Sequence, residues 1–253
     1  MPTALVTGAS SGIGEQFARQ LADRGHNLVL VARRTDRLEK LAEELPTTTH
    51  VVGCDLGADA ESLPSKVREL GVDVDLVVNN AGFGTHGRFV DIEEGRDAEM
   101  VRVNCEAVVA LTRAFLPAMI ERGNGGVIVV ASTAGMQPLP YEAVYSASKA
   151  FALNFTDALH MELRGTGVKA MSVNPGPVPT EWQAVADAED GAISTMPAAM
   201  VVEADQVVRE SLAAYDAGKR SFIPGRNFRW FMRASSVGPR AVNLRVSERM
   251  FRK

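Results

Sequence analysis

The sequence predicts an α/β fold, a doubly wound parallel sheet of about seven strands with helices on both faces. Three observations carry it. Short β-branched runs alternate with longer amphipathic stretches from residue 4 to residue 223. Several of the runs are apolar without alternation, which suits strands covered on both faces. No repeat, low-complexity tract or linker breaks the alternation before residue 218.

The elements follow in order. Ala4-Leu5-Val6-Thr7 reads as a buried strand, and a helix over 13–24 sets Phe17, Ala18 and Leu21 on one face. A strand over 27–32 leads to a helix over 36–45, with Leu38, Leu41 and Leu45 at helical spacing. Strands over 50–53 and 74–79 come next, then a long helical region over 94–122 with Pro117 and Gly123 near its end. A strand over 127–131, a helix over 144–164, a strand over 168–173, a helix over 203–217 and a strand over 221–223 complete the set. Right-handed β-α-β units joined in this order form a single domain.

Composition is that of a globular chain. Of 253 residues, 46% are hydrophobic and 23% charged, which excludes a disordered, collagen-like or disulfide-stapled chain. No run reads as a membrane span, and the first residues carry no secretory pattern. Two cysteines, Cys54 and Cys105, suit a reducing compartment, so the expected location is cytoplasmic. The histidines, His26, His50, His86 and His160, have no metal-ligand spacing, and no metal site is expected. The net charge of −4 conceals a split: residues 219–253 hold ten basic residues and one acidic residue, Glu248. The acidic remainder argues against nucleic acid as a partner.

Chemistry concentrates after the first strand. Thr7-Gly8-Ala9-Ser10-Ser11-Gly12-Ile13-Gly14 runs straight into a helix. Three glycines allow a tight turn and close approach of backbone to a pyrophosphate, and the helix N-terminus offers free N–H groups. The alternative is a bare strand-to-helix turn; the strand before and the helix after favour a dinucleotide.

Thr7-Gly8-x-x-x-Gly12-x-Gly14, Asn79-Asn80-Ala81-Gly82, Asn104, Ser132, Tyr145-x-x-x-Lys149 and Asn174-Pro175-Gly176 stand in one order along the chain. Together they resemble the short-chain dehydrogenase/reductase family, over roughly residues 3–225. The resemblance implies a Rossmann-like domain over 1–225, with a substrate lid at about 181–200, and leaves 226–253 as a basic extension.

The cofactor is expected to be NADP(H). Where NAD-preferring relatives carry an acidic residue, the second strand ends at Ala32 and two arginines follow. A guanidinium donates bidentate hydrogen bonds to a 2′-phosphate. Arg33 is expected to be the main contact and Arg34 the weaker one, the alternative being that both solvate a helix start. Ser10 and Ser11 stand where many NADP-dependent relatives carry a basic residue. By resemblance Asp55, with Leu56 beside it, meets the adenine amino group, though an aspartate there also suits an N-cap. Asn80, Ala81 and Gly82 line the adenosine ribose. Pro175, Gly176, Val178 and Thr180 present backbone to the nicotinamide, and Gly8, Ser10, Ser11, Gly12, Ile13 and Gly14 surround the phosphates.

Tyr145 and Lys149 lie four apart on one helix face. A nearby ammonium favours phenolate, so Lys149 is expected to lower the Tyr145 pKa, making Tyr145 the general acid in carbonyl reduction and the base in alcohol oxidation. Ser132 follows an apolar strand and would hold the substrate oxygen. By resemblance Lys149 also bonds the nicotinamide ribose, and the Asn104 backbone holds a water linking Lys149 to solvent. Taken singly, these residues have plainer readings: a half-buried aromatic, a turn serine, a surface lysine.

Pocket candidates are Phe83, Met136, Leu139 and Tyr141, with Trp182, Val185, Ile193, Met196 and Met200 from the lid and Asp187, Glu189 and Asp190 on its outer side. They imply a small-molecule ketone or aldehyde with an apolar substituent, and the resemblance implies a homodimer or homotetramer. The oxidative alcohol or steroid-type dehydrogenase and a non-catalytic NADP(H)-binding regulator are the alternatives. For the tail, three readings compete: helices folded over the substrate side or an oligomer contact, a peripheral membrane contact, and nucleic acid.

Overall fold

The computed structural model describes residues 1–182, 186, 200–235 and 240–251. Strands β1 (Thr3–Thr7), β2 (Asn27–Ala32), β3 (Thr49–Gly53), β4 (Leu76–Asn79), β5 (Gly125–Val130), β6 (Val168–Val173) and β7 (Ser221–Phe222) form one seven-stranded sheet. Their order is β3-β2-β1-β4-β5-β6-β7, and every pairing is parallel. The sheet reverses direction of growth between β1 and β4, where Leu5 pairs with Val29 on one side and Val77 on the other. Ligands of such sheets sit outside the carboxyl ends of the strands at this point.

The unbroken apolar runs are explained by burial on two faces. Ala4, Val6, Leu28 and Leu30 enter one core with Phe17, Leu38 and Leu212. Leu5, Val29 and Val77 enter the other with Leu63, Leu111, Met119 and Leu159. Helices α1 (Gly12–Asp23), α2 (Thr35–Glu44) and α7 (Ala204–Asp216) supply the first core. Helices α3 (Leu63–Glu69), α4 (Arg96–Val101), α5 (Ala107–Arg122) and α6 (Ala143–Glu162) supply the second. Helices α8 (Arg226–Ser235) and α9 (Arg240–Phe251) follow.

Three differences from expectation have physical causes. Helix α3 was not anticipated: seven residues opening on a buried Pro64 are too short to show a period. A π-turn, Arg102–Glu106, joins α4 to α5 and widens the helix at the buried Asn104. The composite helix over 96–122 is long and apolar enough to cross a membrane by length and composition, contrary to the expectation of no such run. Its apolarity serves two surfaces: Met100, Leu111 and Met119 enter the core, while Val101, Val109 and Ile120 face outward.

Candidate active site

The loop after β1 is built to approach an anion. Ser11 caps α1 in an extended conformation, but its side chain makes no capping bond, which leaves first-turn N–H groups of α1 open. Gly14 is required by clearance. A Cβ there would stand 2.2 Å from the Gly8 carbonyl oxygen and 2.4 Å from Asn80 Nδ2. Asn80 braces the turn, its Nδ2 donating to the carbonyls of Thr7 at 2.9 Å and Gly8 at 3.3 Å. Thr7 Oγ1 accepts the N–H groups of Asn80 and Ala81, each at 3.0 Å, locking the end of β4 to the end of β1.

A cavity of about 570 Å³ runs along the carboxyl edge of the sheet. It collects nearly every site residue expected from the sequence. Gly8, Ser10, Ser11, Gly12 and Ile13 line it, as do Arg33, Arg34, Asp55, Leu56, Asn80, Ala81 and Gly82. Ser132, Tyr145, Lys149, Pro175, Gly176, Val178 and Thr180 line its other end. Gly14 supports the loop from behind, and Asn104 lies 2% exposed beneath Gly82. The Gly14 clearance and the open N–H groups of α1 fit a dinucleotide pyrophosphate.

At the adenosine end both arginines line the cavity and make different contacts. Arg34 donates to Ser10 Oγ at 3.0 Å and Ser11 Oγ at 3.0 Å, placing its guanidinium on the phosphate loop. Arg33 turns away toward Glu99 at 3.6 Å and Asp55 at 3.9 Å. The cause is local: consecutive residues leaving a strand point to opposite sides. Arg37, not anticipated, joins Arg34 around Glu181, at 2.6 Å and 2.8 Å. The two guanidinium groups hold the Glu181 carboxyl down at about 2. Asp55 Oδ1 accepts the Gly57 N–H at 2.9 Å in a local turn, and its other oxygen faces Arg33.

The catalytic residues meet at the other end. Ser132 leaves β5 in an extended conformation, and its Oγ accepts the Ala134 N–H at 3.0 Å. The Ser132 hydroxyl donates to the Pro175 carbonyl at 3.4 Å and favours the ionised form of the Tyr145 phenol. Lys149 is 6% exposed and donates from Nζ to the Val130 carbonyl at 2.9 Å. Burial lowers its pKa from 10.5 to about 8. Asn104 Nδ2 donates to Phe83 O and Ser148 Oγ, both at 2.9 Å, and its Oδ1 accepts the Phe83 N–H at 3.2 Å. It thus pins the segment after β4 to α6.

One expectation is corrected. The net shift of the Tyr145 phenol is upward, not downward. Burial, with a smaller contribution from the Glu142 charge, pushes the phenol above its ordinary value, and the Ser132 hydroxyl opposes the rise. Lys149 Nζ lies 5.9 Å from the Tyr145 ring centroid and is committed to Val130. Tyr145 is therefore a protonated donor near neutrality.

Trp182 covers the phenol, with ring centroids 5.0 Å apart and planes inclined at 48°. Thr180 stands over the phosphate loop, its methyl 3.1 Å from the position a Gly12 Cβ would take. Phe83, Leu139 and Trp182 line the substrate end, whereas Met136, Tyr141 and Met200 do not. Val185, Asp187, Glu189, Asp190, Ile193 and Met196 lie outside the described residues.

The basic tail folds over this end. Phe228 of α8 packs on Gly176, where a Cβ would lie 2.4 Å from its ring. Phe231, Met232, Asn243 and Val246 join it in the cavity wall. Arg229 anchors α8, donating to Ile223 O at 2.7 Å, pairing with Glu210 at 3.4 Å and lying 4.3 Å from the Phe222 ring centroid. The periodicity of 226–232 was a sequence signal for this helix; its docking site was not. Among the described residues no His, Cys, Asp and Glu group could hold a metal ion.

Comparison with known proteins agrees with this geometry. A sulfoacetaldehyde reductase of Chromohalobacter salexigens is 40% identical over 196 residues, covering 75% of this chain and 78% of the relative. A short-chain dehydrogenase from Sphingobium yanoikuyae, solved in complex with NADPH, superposes with a TM-score of 0.81 at 31% identity, over 94% of both chains. A bulky-bulky ketone specific alcohol dehydrogenase from Comamonas testosteroni superposes with a TM-score of 0.78 at 30% identity, over 94% of this chain and 92% of that one. The short chain dehydrogenase family model matches residues 2–191, a span that holds the phosphate loop, Ser132, Tyr145 and Lys149, and the chain belongs to that family of oxidoreductases.

Proposed function

We propose that the chain is an NADPH-dependent reductase of a ketone or aldehyde bearing an apolar substituent. The carrying observation is Tyr145: a buried phenol that shares with Ser132 and Lys149 the end of a dinucleotide-shaped cavity. When bound, the reduced nicotinamide supplies a hydride to the carbonyl carbon. Ser132 and Tyr145 hold the carbonyl oxygen, and their O–H groups stabilise the charge that develops on it. Tyr145 then gives its proton to that oxygen. An alkoxide is far more basic than a phenolate, so the transfer runs downhill even from a phenol made weaker by burial. Lys149, held on Val130, is assigned to the nicotinamide ribose, and Asn104 fixes the segment that carries Gly82 and Phe83.

Arg34 on Ser10 and Ser11, with Arg37 alongside, supports NADP(H) over NAD(H), because their guanidinium groups suit a 2′-phosphate. Asp55 is assigned to the adenine amino group, and Val178 and Thr180 to the nicotinamide and phosphates. The NADP preference favours reduction over the oxidative reading. Retention of Ser132, Tyr145 and Lys149 in one cavity favours an enzyme over a non-catalytic regulator. NADPH oxidation against a panel of neutral ketones and aldehydes, read beside NADH, tests the proposal; no turnover of any carbonyl despite NADPH binding refutes it.

Exposed Val109 and Ile120 of α5, with Phe151 and Met161 of α6, support a homodimer or homotetramer built on these helices, which light scattering tests. The free thiols of Cys54 and Cys105 suit a cytoplasmic setting. Exposed Trp230 and Val242 on the basic helices support a peripheral contact with anionic lipid. Vesicle binding that is salt-sensitive and lost on truncation after Pro224 is the expected result; salt-insensitive or absent binding removes this contact.

A further inference from the structure

The substrate end of the cavity holds a carboxylate that the reaction does not use. Glu142 lines the cavity three residues before Tyr145 and is 7% exposed. It occupies the N-cap position of α6 without its side chain capping the helix. Its Oε1 stands 3.5 Å from His86 Nδ1, longer than a hydrogen bond. Among the described residues the His86 ring is its one ion-pair neighbour, and no hydrogen bond reaches the carboxylate.

The surrounding backbone fixes that placement. Tyr141, next to it, has φ 68, the one positive φ outside glycine among the described residues. The Gly87 N–H donates to the Tyr141 carbonyl at 2.8 Å, so the turn before α6 is braced on the segment that carries His86. The neighbouring wall, Phe83, Leu139 and Trp182, is apolar. The other carboxylates of the cavity, Asp55, Glu99 and Glu181, sit among arginines at the adenosine end. Lys149 is held on Val130, and Glu142 acts on Tyr145 as a negative neighbour.

We propose that Glu142 selects the substrate: the site takes an apolar carbonyl compound bearing a hydrogen-bond donor, a hydroxyl or an ammonium, and rejects one bearing a carboxylate or sulfonate. This rests on the carbonyl-reductase reading. A largely buried acceptor without a protein hydrogen bond gains one from such a donor. An anion beside it meets like-charge repulsion that the low-dielectric wall screens poorly, worth roughly ten-fold or more in affinity. The preference separates this chain from its relative named for sulfoacetaldehyde, a sulfonate.

Binding and turnover are measured separately on the full chain. With NADPH saturating at about pH 8, the binding of 2-phenylethylamine, 2-phenylethanol and phenylacetate is read from the change in NADPH fluorescence. The three share a skeleton and differ in head group. The amine and the alcohol are expected to bind roughly ten-fold or more tightly than phenylacetate, and Glu142→Gln to narrow the gap to about three-fold or less. The proposal is overturned if phenylacetate binds as well as the amine, if neither donor-bearing compound binds, or if Glu142→Gln leaves the order unchanged. Should that variant fail to fold, the wild-type order decides. Reduction of acetophenone, which has neither donor nor charge, is followed in parallel. Its absence refutes the reductase reading, while the binding order still judges Glu142.

Discussion

Replacing Lys149 by Met should make stability less dependent on pH in the alkaline range. In the folded chain the ammonium is 6% exposed, and burial sets its pKa at about 8 against an ordinary 10.5. The unfolded chain takes up this proton as pH falls through 10.5; the folded chain takes it up only below about 8. Between the two values the unfolded state binds more protons, so wild-type stability rises with pH. A shift of about 2.5 units is a burden of about 3 kcal/mol, imposed in full below about pH 8 and relieved toward pH 10.5. The Met variant carries no such burden, although it leaves the Val130 carbonyl without its donor, a loss of about 1–3 kcal/mol that does not vary with pH. Urea unfolding of both proteins at about pH 7 and pH 10 separates the two effects. The wild type should gain about 2 kcal/mol on the variant over that interval. Parallel profiles, within about 0.5 kcal/mol, would refute the argument that Lys149 is held as a strained buried cation. The variant should also lose reductase activity at every pH.

Further outcomes follow from the cofactor end and the tail. Gly14→Ala drives a methyl into the Gly8 carbonyl and Asn80, so NADPH binding should fall by about 2 kcal/mol or more, read by fluorescence titration; unchanged binding would show that the loop is not held as described. Glu181→Gln removes the carboxylate that competes for Arg34 and Arg37, and 2′,5′-ADP should bind about two- to five-fold more tightly while 5′-AMP does not change. Arg34→Ala should weaken 2′,5′-ADP more than Arg33→Ala does; the reverse order would restore the ranking expected from sequence. Phe228→Ala opens the contact with Gly176 and should cost about 3 kcal/mol of stability, with KM for a hydrophobic ketone raised more than kcat is lowered. Equal loss of both would place Phe228 outside the substrate wall.

The sheet could be read from sequence because its strands are buried on both faces. Leu28 to Val31 and Val77 to Val78 admit no polar residue and show the pattern directly. The phosphate loop, Ser132, Tyr145 and Lys149 were legible because each follows a strand end or shares a helix turn. What escaped depends on side-chain direction and burial. Whether Arg33 or Arg34 faces Ser10 is a matter of which side of the chain each leaves. The direction of the Tyr145 shift follows from tertiary burial that outweighs an ammonium four residues away. Arg37 and Glu181 are joined across 144 residues, and Phe228 finds Gly176 only in the folded chain. Glu142 reads as an ordinary helix-start acid until the fold sets it in one cavity with Phe83, Leu139 and Tyr145.

The central claim is that Tyr145 delivers the proton in NADPH-dependent carbonyl reduction. Its most direct test is Tyr145→Phe, with NADPH oxidation and NADPH binding measured on the same preparation. The ring is kept and the O–H removed, so the contact with Trp182 persists. Turnover should fall roughly 10²–10⁴-fold with the NADPH dissociation constant within about two-fold of wild type. A variant that reduces the ketone at the wild-type rate would contradict the assignment of Tyr145 and the mechanism built on it.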